Sequence, residues 1–271
     1  MAEPRDPKRV QKPLSPSMLS PTQASPKVWL KRALESTLPD RQCRLCCGWC
    51  RHSPLCPACL QALTDKQVRC LSCALPINHQ TGDEPVLCGE CVSHPPAFSQ
   101  AVTAGHYQAP INHWLNNFKV RRDLRDGHLL LQLLIAQIRR HYTQQPLPQL
   151  LIPVPLHWSR LLSRGFNQSA WLAQQLHKTL GIDTQMALVR HSRRQAQKQL
   201  NRTQRQQNLN TAFRIKASLA QSLIGKHVAL IDDVVTTSAT VRAISQRLKH
   251  AGVAKVDIWS LARTDKTDFH H

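Results

Sequence analysis

Two adjacent carboxylates, Asp232 and Asp233, followed closely by Thr236, Thr237, Ser238, Ala239 and Thr240, form the stretch of this chain best suited to chemistry. The apolar run Val228–Ile231 reads as a buried strand. Carboxylates at its end fall on the carboxyl edge of a sheet, where open α/β folds hold ligands. The hydroxyl-rich turn then opens a helix, whose unpaired N–H groups and positive dipole end stabilise a phosphate dianion. The Thr and Ser hydroxyls are further donors. Two neighbouring carboxylates repel a bare phosphate, so they belong beside a ribose, accepting from its 2′ and 3′ hydroxyls while the turn takes the 5′-phosphate. A plain helix cap by Ser238 uses the same residue types, but the order strand, Asp-Asp, Thr-Thr-x-x-Thr is more specific than a cap.

Arginines supply the second element. Arg160 and Arg164 follow the strand Leu150–Val154, whose end lies on the same edge as Asp232 in a parallel sheet. Their planar forks match the oxygens of a pyrophosphate. From Arg190 to Lys216 the chain has no acidic residue and is rich in Arg and Gln. Three readings fit it: a flap closing over a bound sugar phosphate and excluding water, a strip neutralising nucleic-acid phosphates, or a solvated loop. Aromatic stacking residues, usual in single-strand binders, are nearly absent there.

The third element is cysteine. Five Cys-x-x-Cys pairs occur, Cys43/Cys46, Cys47/Cys50, Cys56/Cys59, Cys70/Cys73 and Cys88/Cys91. Each can present two thiolates, and tetrahedral Zn²⁺ needs two such pairs, so eight thiols make two structural sites. Five residues separate Cys50 from Cys56, a tight loop for opposing pairs, which leaves Cys47/Cys50 surplus. Spacing alone is equally compatible with sequential and crossed pairing. Iron–sulfur or redox chemistry stays open while two cysteines are unassigned.

The elements that must position these groups follow from periodicity. Ala101–Tyr107 alternates as a strand, Ile111–Val120 and Arg125–Tyr142 carry helical apolar stripes, and from Leu150 onward short strands alternate with helices: Leu150–Val154, Ser169–Leu180, Val228–Ile231, Ala239–Ala251 and Val253–Leu261. That alternation predicts an α/β fold with a parallel sheet covered on both faces. Residues 1–40 read as a disordered leader rich in Pro and Ser, with a second possible start at Met18, followed by a short amphipathic helix over Val28–Leu38. The expected layout is a Cys-rich region over 41–96, an α/β domain over 97–265 and a tail over 266–271.

In 271 residues, Lys and Arg outnumber Asp and Glu 36 to 16, a formal charge of +20 that calls for anionic company: nucleic acid, phosphorylated metabolites or an acidic protein. No signal peptide is visible, and the longest apolar run, Leu129–Ala136, is too short to span a bilayer. A cytoplasmic protein is expected. In a reducing compartment ten cysteines point to metal rather than disulfides.

Ile231–Thr240 resembles the PRPP-binding motif of type I phosphoribosyltransferases, and the surrounding blocks resemble one subfamily, the ComF/GntX proteins of competence and DNA utilisation. Those blocks are Pro153-Val154-Pro155-Leu156, Arg164-Gly165-Phe166-Asn167-Gln168, Gln197 with Leu200, Arg205, Asn208 and Phe213, and the cysteine pairs. The likeness runs from Arg41 to Arg263. It implies a phosphoribosyltransferase-like domain with an N-terminal double zinc ribbon, paired sequentially: Cys43, Cys46, Cys56 and Cys59 in one site, Cys70, Cys73, Cys88 and Cys91 in the other. It implies ribose contacts from Asp232 and Asp233, a 5′-phosphate cradle over Thr236–Thr240, and a flexible loop bearing Gln197 and Arg205. One departure stands out, since the family usually has Gly where this chain has Ser238; if φ is positive there, Ser carries a steric penalty that weakens phosphate binding. Two functions follow: a Mg²⁺-dependent transferase passing ribose 5-phosphate from PRPP to an acceptor, or a non-catalytic adaptor for single-stranded DNA or DNA-uptake proteins.

Overall fold

The computed structural model describes residues 41–50, 53–64, 68–77, 86–190 and 212–264. The expected leader, its helix, the tail, and Gln197 and Arg205 lie outside them.

Short apolar strands set the architecture. Strands β3 (Gln100–His106), β4 (Leu150–Pro153), β5 (Asp183–Thr184), β8 (His227–Val235) and β9 (Lys255–Arg263) form one parallel sheet in the order β3-β9-β8-β4-β5. Sequential strands that are parallel need helical crossovers, and these are α3 (Ile111–Asn116), α4 (Leu124–His141), α5 (Trp158–Arg164), α6 (Gln168–Leu180), α7 (Ala217–Leu223) and α8 (Ala239–His250). Upstream lie the hairpin β1 (Arg41–Gln42) with β2 (Trp49–Cys50) and the short helices α1 (Pro57–Leu63) and α2 (Gly89–Ser93).

Because strand side chains alternate between faces, the sheet divides the hydrophobic residues into two cores. Leu151, Ala229, Ile231, Trp259 and Leu261 pack with α4 and α6 on one face. Leu150, Ile152, Val228, Leu230, Val256 and Ile258 pack with Val241, Ile244 and Leu248 of α8 on the other. The Cys-rich region contributes to both: Cys43, Cys50 and Leu55 join the first core, and Cys70, Cys73 and Cys91 the second.

Several expected boundaries move. The helix expected over Ile111–Val120 stays α-helical only to Asn116 and continues as a π turn, Asn117–Arg121, ending in left-handed Arg122. The strand expected to stop at Ile231 runs to Val235, because β9 pairs with it as far as Val235↔Arg263. The carboxylates are therefore within the strand. The last strand starts at Lys255 rather than Val253, since Gly252 at φ 87° turns the chain first. The basic segment after Arg190 springs from a hairpin, β6 (Leu188–Arg190) with β7 (Phe213–Ile215), in which Arg190 faces Phe213.

At the amino edge, fully buried Asp257 accepts hydrogen bonds from Tyr142 Oη (2.7 Å) and Gln100 Nε2 (3.0 Å) and meets His227 Nε2 at 2.7 Å. Burial alone would push its pKa up, but these partners hold it below the usual carboxylate range. This network braces the sheet at the end opposite the Asp-Asp pair.

Candidate sugar-phosphate site and cysteine clusters

β8 delivers Asp232 and Asp233 to the carboxyl edge with their side chains in different surroundings. Half-buried Asp232 accepts from the Asp233 backbone N–H at 2.9 Å and, weakly, from Ser169 Oγ at 3.4 Å. Burial, with Asp233 adding repulsion, raises its pKa to about 7. Asp233 meets Lys119 Nζ at 3.1 Å and Arg164 Nη1 at 3.8 Å. One carboxylate is thus paired with cations and the other is held close to neutrality, which lowers the repulsion toward phosphate that two bare carboxylates would exert.

Beyond Val235, Thr236 and Thr237 are exposed and Ser238 is buried, and α8 begins at Ala239, placing Ala239 and Thr240 in its first turn. Ser238 sits at φ 61°, ψ 0°, the left-handed conformation that glycine adopts at no steric cost. Its Oγ is buried without a hydrogen-bond partner among the described residues. Ser238 caps α8 through its backbone only, its carbonyl accepting from Arg242 N at 2.9 Å. The side-chain cap that the residue types allowed is absent.

The block Arg164–Gln168 divides its work. Gly165, at φ 75°, ends α5, and a Cβ there would lie 2.5 Å from an Arg122 nitrogen. Phe166 stacks edge-on against Phe118 at 5.5 Å. Asn167 caps α6, accepting from Ser169 N and Ala170 N while its Nδ2 donates to Val154 O. Arg164 alone of these faces a carboxylate. Arg160 is exposed on α5 and acts electrostatically on Arg190, which also feels Asp232; Arg190's own pKa falls, chiefly through burial.

Lys119 is a site residue that reading the sequence missed, and Arg190 is one it named only as the start of the basic segment. Lys119 stands in the basic run Lys119-Val120-Arg121-Arg122, a local signal that gives no hint of a contact more than a hundred residues away. It reaches Asp233 because the π turn projects it over the strand end. Arg190 sits at the root of the Arg- and Gln-rich segment, its guanidinium 5.3 Å above the Phe213 ring.

The eight cysteines assemble as two sets, Cys43/Cys46/Cys56/Cys59 and Cys70/Cys73/Cys88/Cys91, with the sulfurs of each set within 4.8 Å of one another. Cys47 and Cys50 join neither. Four soft thiol donors at that spacing suit tetrahedral zinc, and backbone N–H groups of Cys56 and Cys88 donate to the Sγ of Cys43 and Cys70. In the first set Cys43 is held down at about 6, where backbone N–H groups outweigh burial, while Cys59 is pushed up to about 12, first by its hydrogen bond with Cys56. The second set has the same asymmetry, Cys70 at about 7 and Cys91 driven upward by burial. Each set thus holds protons that a metal would displace, and both can bind zinc. No helix among the described residues is long and apolar enough to cross a membrane.

Residues 161–270 match the phosphoribosyl transferase domain family. The DNA utilization protein YhgH of Escherichia coli K12 is 33% identical over 227 residues, covering 80% of this chain and 96% of that protein. YhgH of Shigella flexneri is 34% identical over the same share. Competence protein F of Haemophilus influenzae is 35% identical over 179 residues, 65% of this chain and 78% of its own length.

Proposed function

Since this chain belongs to the ComF/GntX family of competence and DNA utilisation proteins with a phosphoribosyltransferase-like domain, we propose that it binds PRPP, together with Mg²⁺, at the carboxyl edge of β8. The observation that carries this reading is the run from β8 into α8. Two carboxylates in unlike electrostatic settings stand a few residues before left-handed Ser238, whose buried hydroxyl has no partner among the described residues, and the amino end of a twelve-residue helix. A phosphate at the turn takes the helix N–H groups and the Ser238 hydroxyl. Asp232 and Asp233 accept from the ribose, and Arg160, Arg164 and Arg190 lie on the side where a pyrophosphate needs forks. Mg²⁺ carried by the pyrophosphate would offset its charge beside these arginines. Zinc in the two cysteine sets holds the upstream region in shape.

Transfer to an acceptor is the next stage of the reading. Cleavage of the bond from the anomeric carbon to pyrophosphate asks the protein to orient the leaving group and stabilise developing positive charge, not to supply a nucleophile. The names of the relatives, a DNA utilization protein and a competence protein, support DNA utilisation as the setting of that activity. Thermal shift separates a PRPP site from a general polyanion site: PRPP with Mg²⁺ is expected to raise the melting temperature more than pyrophosphate or ribose 5-phosphate alone. An equal shift with pyrophosphate would reduce the site to non-specific charge.

A further inference from the structure

The second cysteine set and the phosphate turn share two arginines. Arg263, at the end of β9 and only 4% exposed, donates from Nε to Cys73 O at 3.0 Å and from Nη1 to Val235 O at 3.1 Å, to Thr264 O at 2.9 Å and to Thr236 O. One guanidinium therefore grips the cysteine knuckle on one side and the first residues of the turn on the other. Arg242, in the first turn of α8, donates to His94 O at 2.6 Å and to Cys91 Sγ at 3.6 Å, while its backbone N–H closes on Ser238 O. Neither arginine has a carboxylate within ion-pair distance among the described residues.

A guanidinium buried without a counter-charge, as that of Arg263 is, is costly, and half-buried Arg242 shares part of that cost. Here the counter-charge lies in the thiols: one divalent metal with four thiolates carries two negative charges, and Arg242 and Arg263 carry two positive ones. The metal-loaded set balances the pair of arginines. Without metal the set lacks the ion that holds its four sulfurs together, and the contacts of Arg242 and Arg263 to it lose their fixed partner.

We propose that Arg242 and Arg263 are positioning residues that couple metal occupancy of Cys70, Cys73, Cys88 and Cys91 to the shape of the turn Thr236–Ser238. A metal in this set fixes both guanidiniums, and they fix the turn. The consequence for PRPP, that metal here tightens its binding, rests on the reading given above; the coupling itself does not. By linkage, a ligand that orders the turn also tightens metal binding to this set. The first set has no such route, because its arginine, Arg44, is committed to Asp126.

The test is hydrogen exchange of the full zinc-loaded chain, read at the amides of Thr236–Thr240. In Arg242→Gln with both zinc ions retained, and in Cys88→Ser, these amides are expected to exchange about fivefold faster or more, the lower end of typical coupling. Cys59→Ser is expected to leave them within about twofold. Arg242 is half-buried at a helix start, so its substitution tests the coupling even if Arg263→Lys fails to fold. Unchanged turn exchange in both Arg242→Gln and Cys88→Ser overturns the proposal. Accelerated exchange in a protein that does not bind PRPP upholds the coupling and rejects the PRPP reading instead.

Discussion

The two cysteine sets have identical donors and opposite attachments. The first docks through Arg44, whose Nη2 lies 2.7 Å from fully buried Asp126. Asn117, at the start of the π turn that carries Lys119, donates to the other oxygen of Asp126 at 2.9 Å. The second docks through Arg242 and Arg263 onto the turn and the first turn of α8. One set therefore leans on the element that reaches Asp233, the other on the turn proposed to receive phosphate. Two copies of one motif brace two halves of the proposed site, from opposite faces of the sheet.

The largest test of this contrast removes the first attachment. Arg44→Ala strands the fully buried Asp126 carboxylate, whose remaining hydrogen-bond partner among the described residues is Asn117, and is expected to cost about 3 kcal/mol in urea unfolding. A loss below about 1 kcal/mol would show that Asn117 alone satisfies the carboxylate.

The next effect separates the carboxylates. With Asp232 raised to about 7 in the free protein, ribose hydroxyls must bind its ionised form. PRPP affinity is therefore expected to rise by up to about tenfold between pH 6 and 8 on that account, and Asp232→Asn to remove that part of the pH dependence. The sign reverses for the free protein's stability. A carboxyl whose folded pKa lies above its unfolded value binds more protons when folded, so this contribution falls as pH rises from about 4 to about 7. Titrations repeated in both proteins, with phosphate ionisation common to the two, check this.

The smallest effect lies at the turn. Ser238→Gly relieves the left-handed strain and is expected to stabilise the protein by about 1 kcal/mol in thermal unfolding. No gain would mean that a contact of the Ser238 side chain offsets the strain.

Much of this was legible in residue patterns. The apolar strands between helices announced the parallel sheet, because burial on both faces leaves an unbroken hydrophobic run. The composition of His227–Arg242 announced a strand-turn-helix junction, and comparison with a family glycine pointed to the conformation of Ser238. Pairing of the cysteines was not in their spacing; the order came from resemblance. The α5 helix and the β6–β7 hairpin escaped because elements of seven and three residues are too short for periodicity to register. Lys119, Arg242 and Arg263 escaped for a different reason. Their partners are remote in sequence, and only the order of strands brings them together.

The central claim is tested most directly by calorimetric titration of PRPP and of pyrophosphate, each with Mg²⁺, into the zinc-loaded protein and into Asp233→Asn. PRPP is predicted to bind the unmodified protein and to bind Asp233→Asn about tenfold more weakly, as befits a lost charge-assisted hydrogen bond. Pyrophosphate should bind Asp233→Asn at least as well, since Lys119 and Arg164 lose their carboxylate partner. Absence of PRPP binding to the zinc-loaded protein at millimolar ligand would contradict the account.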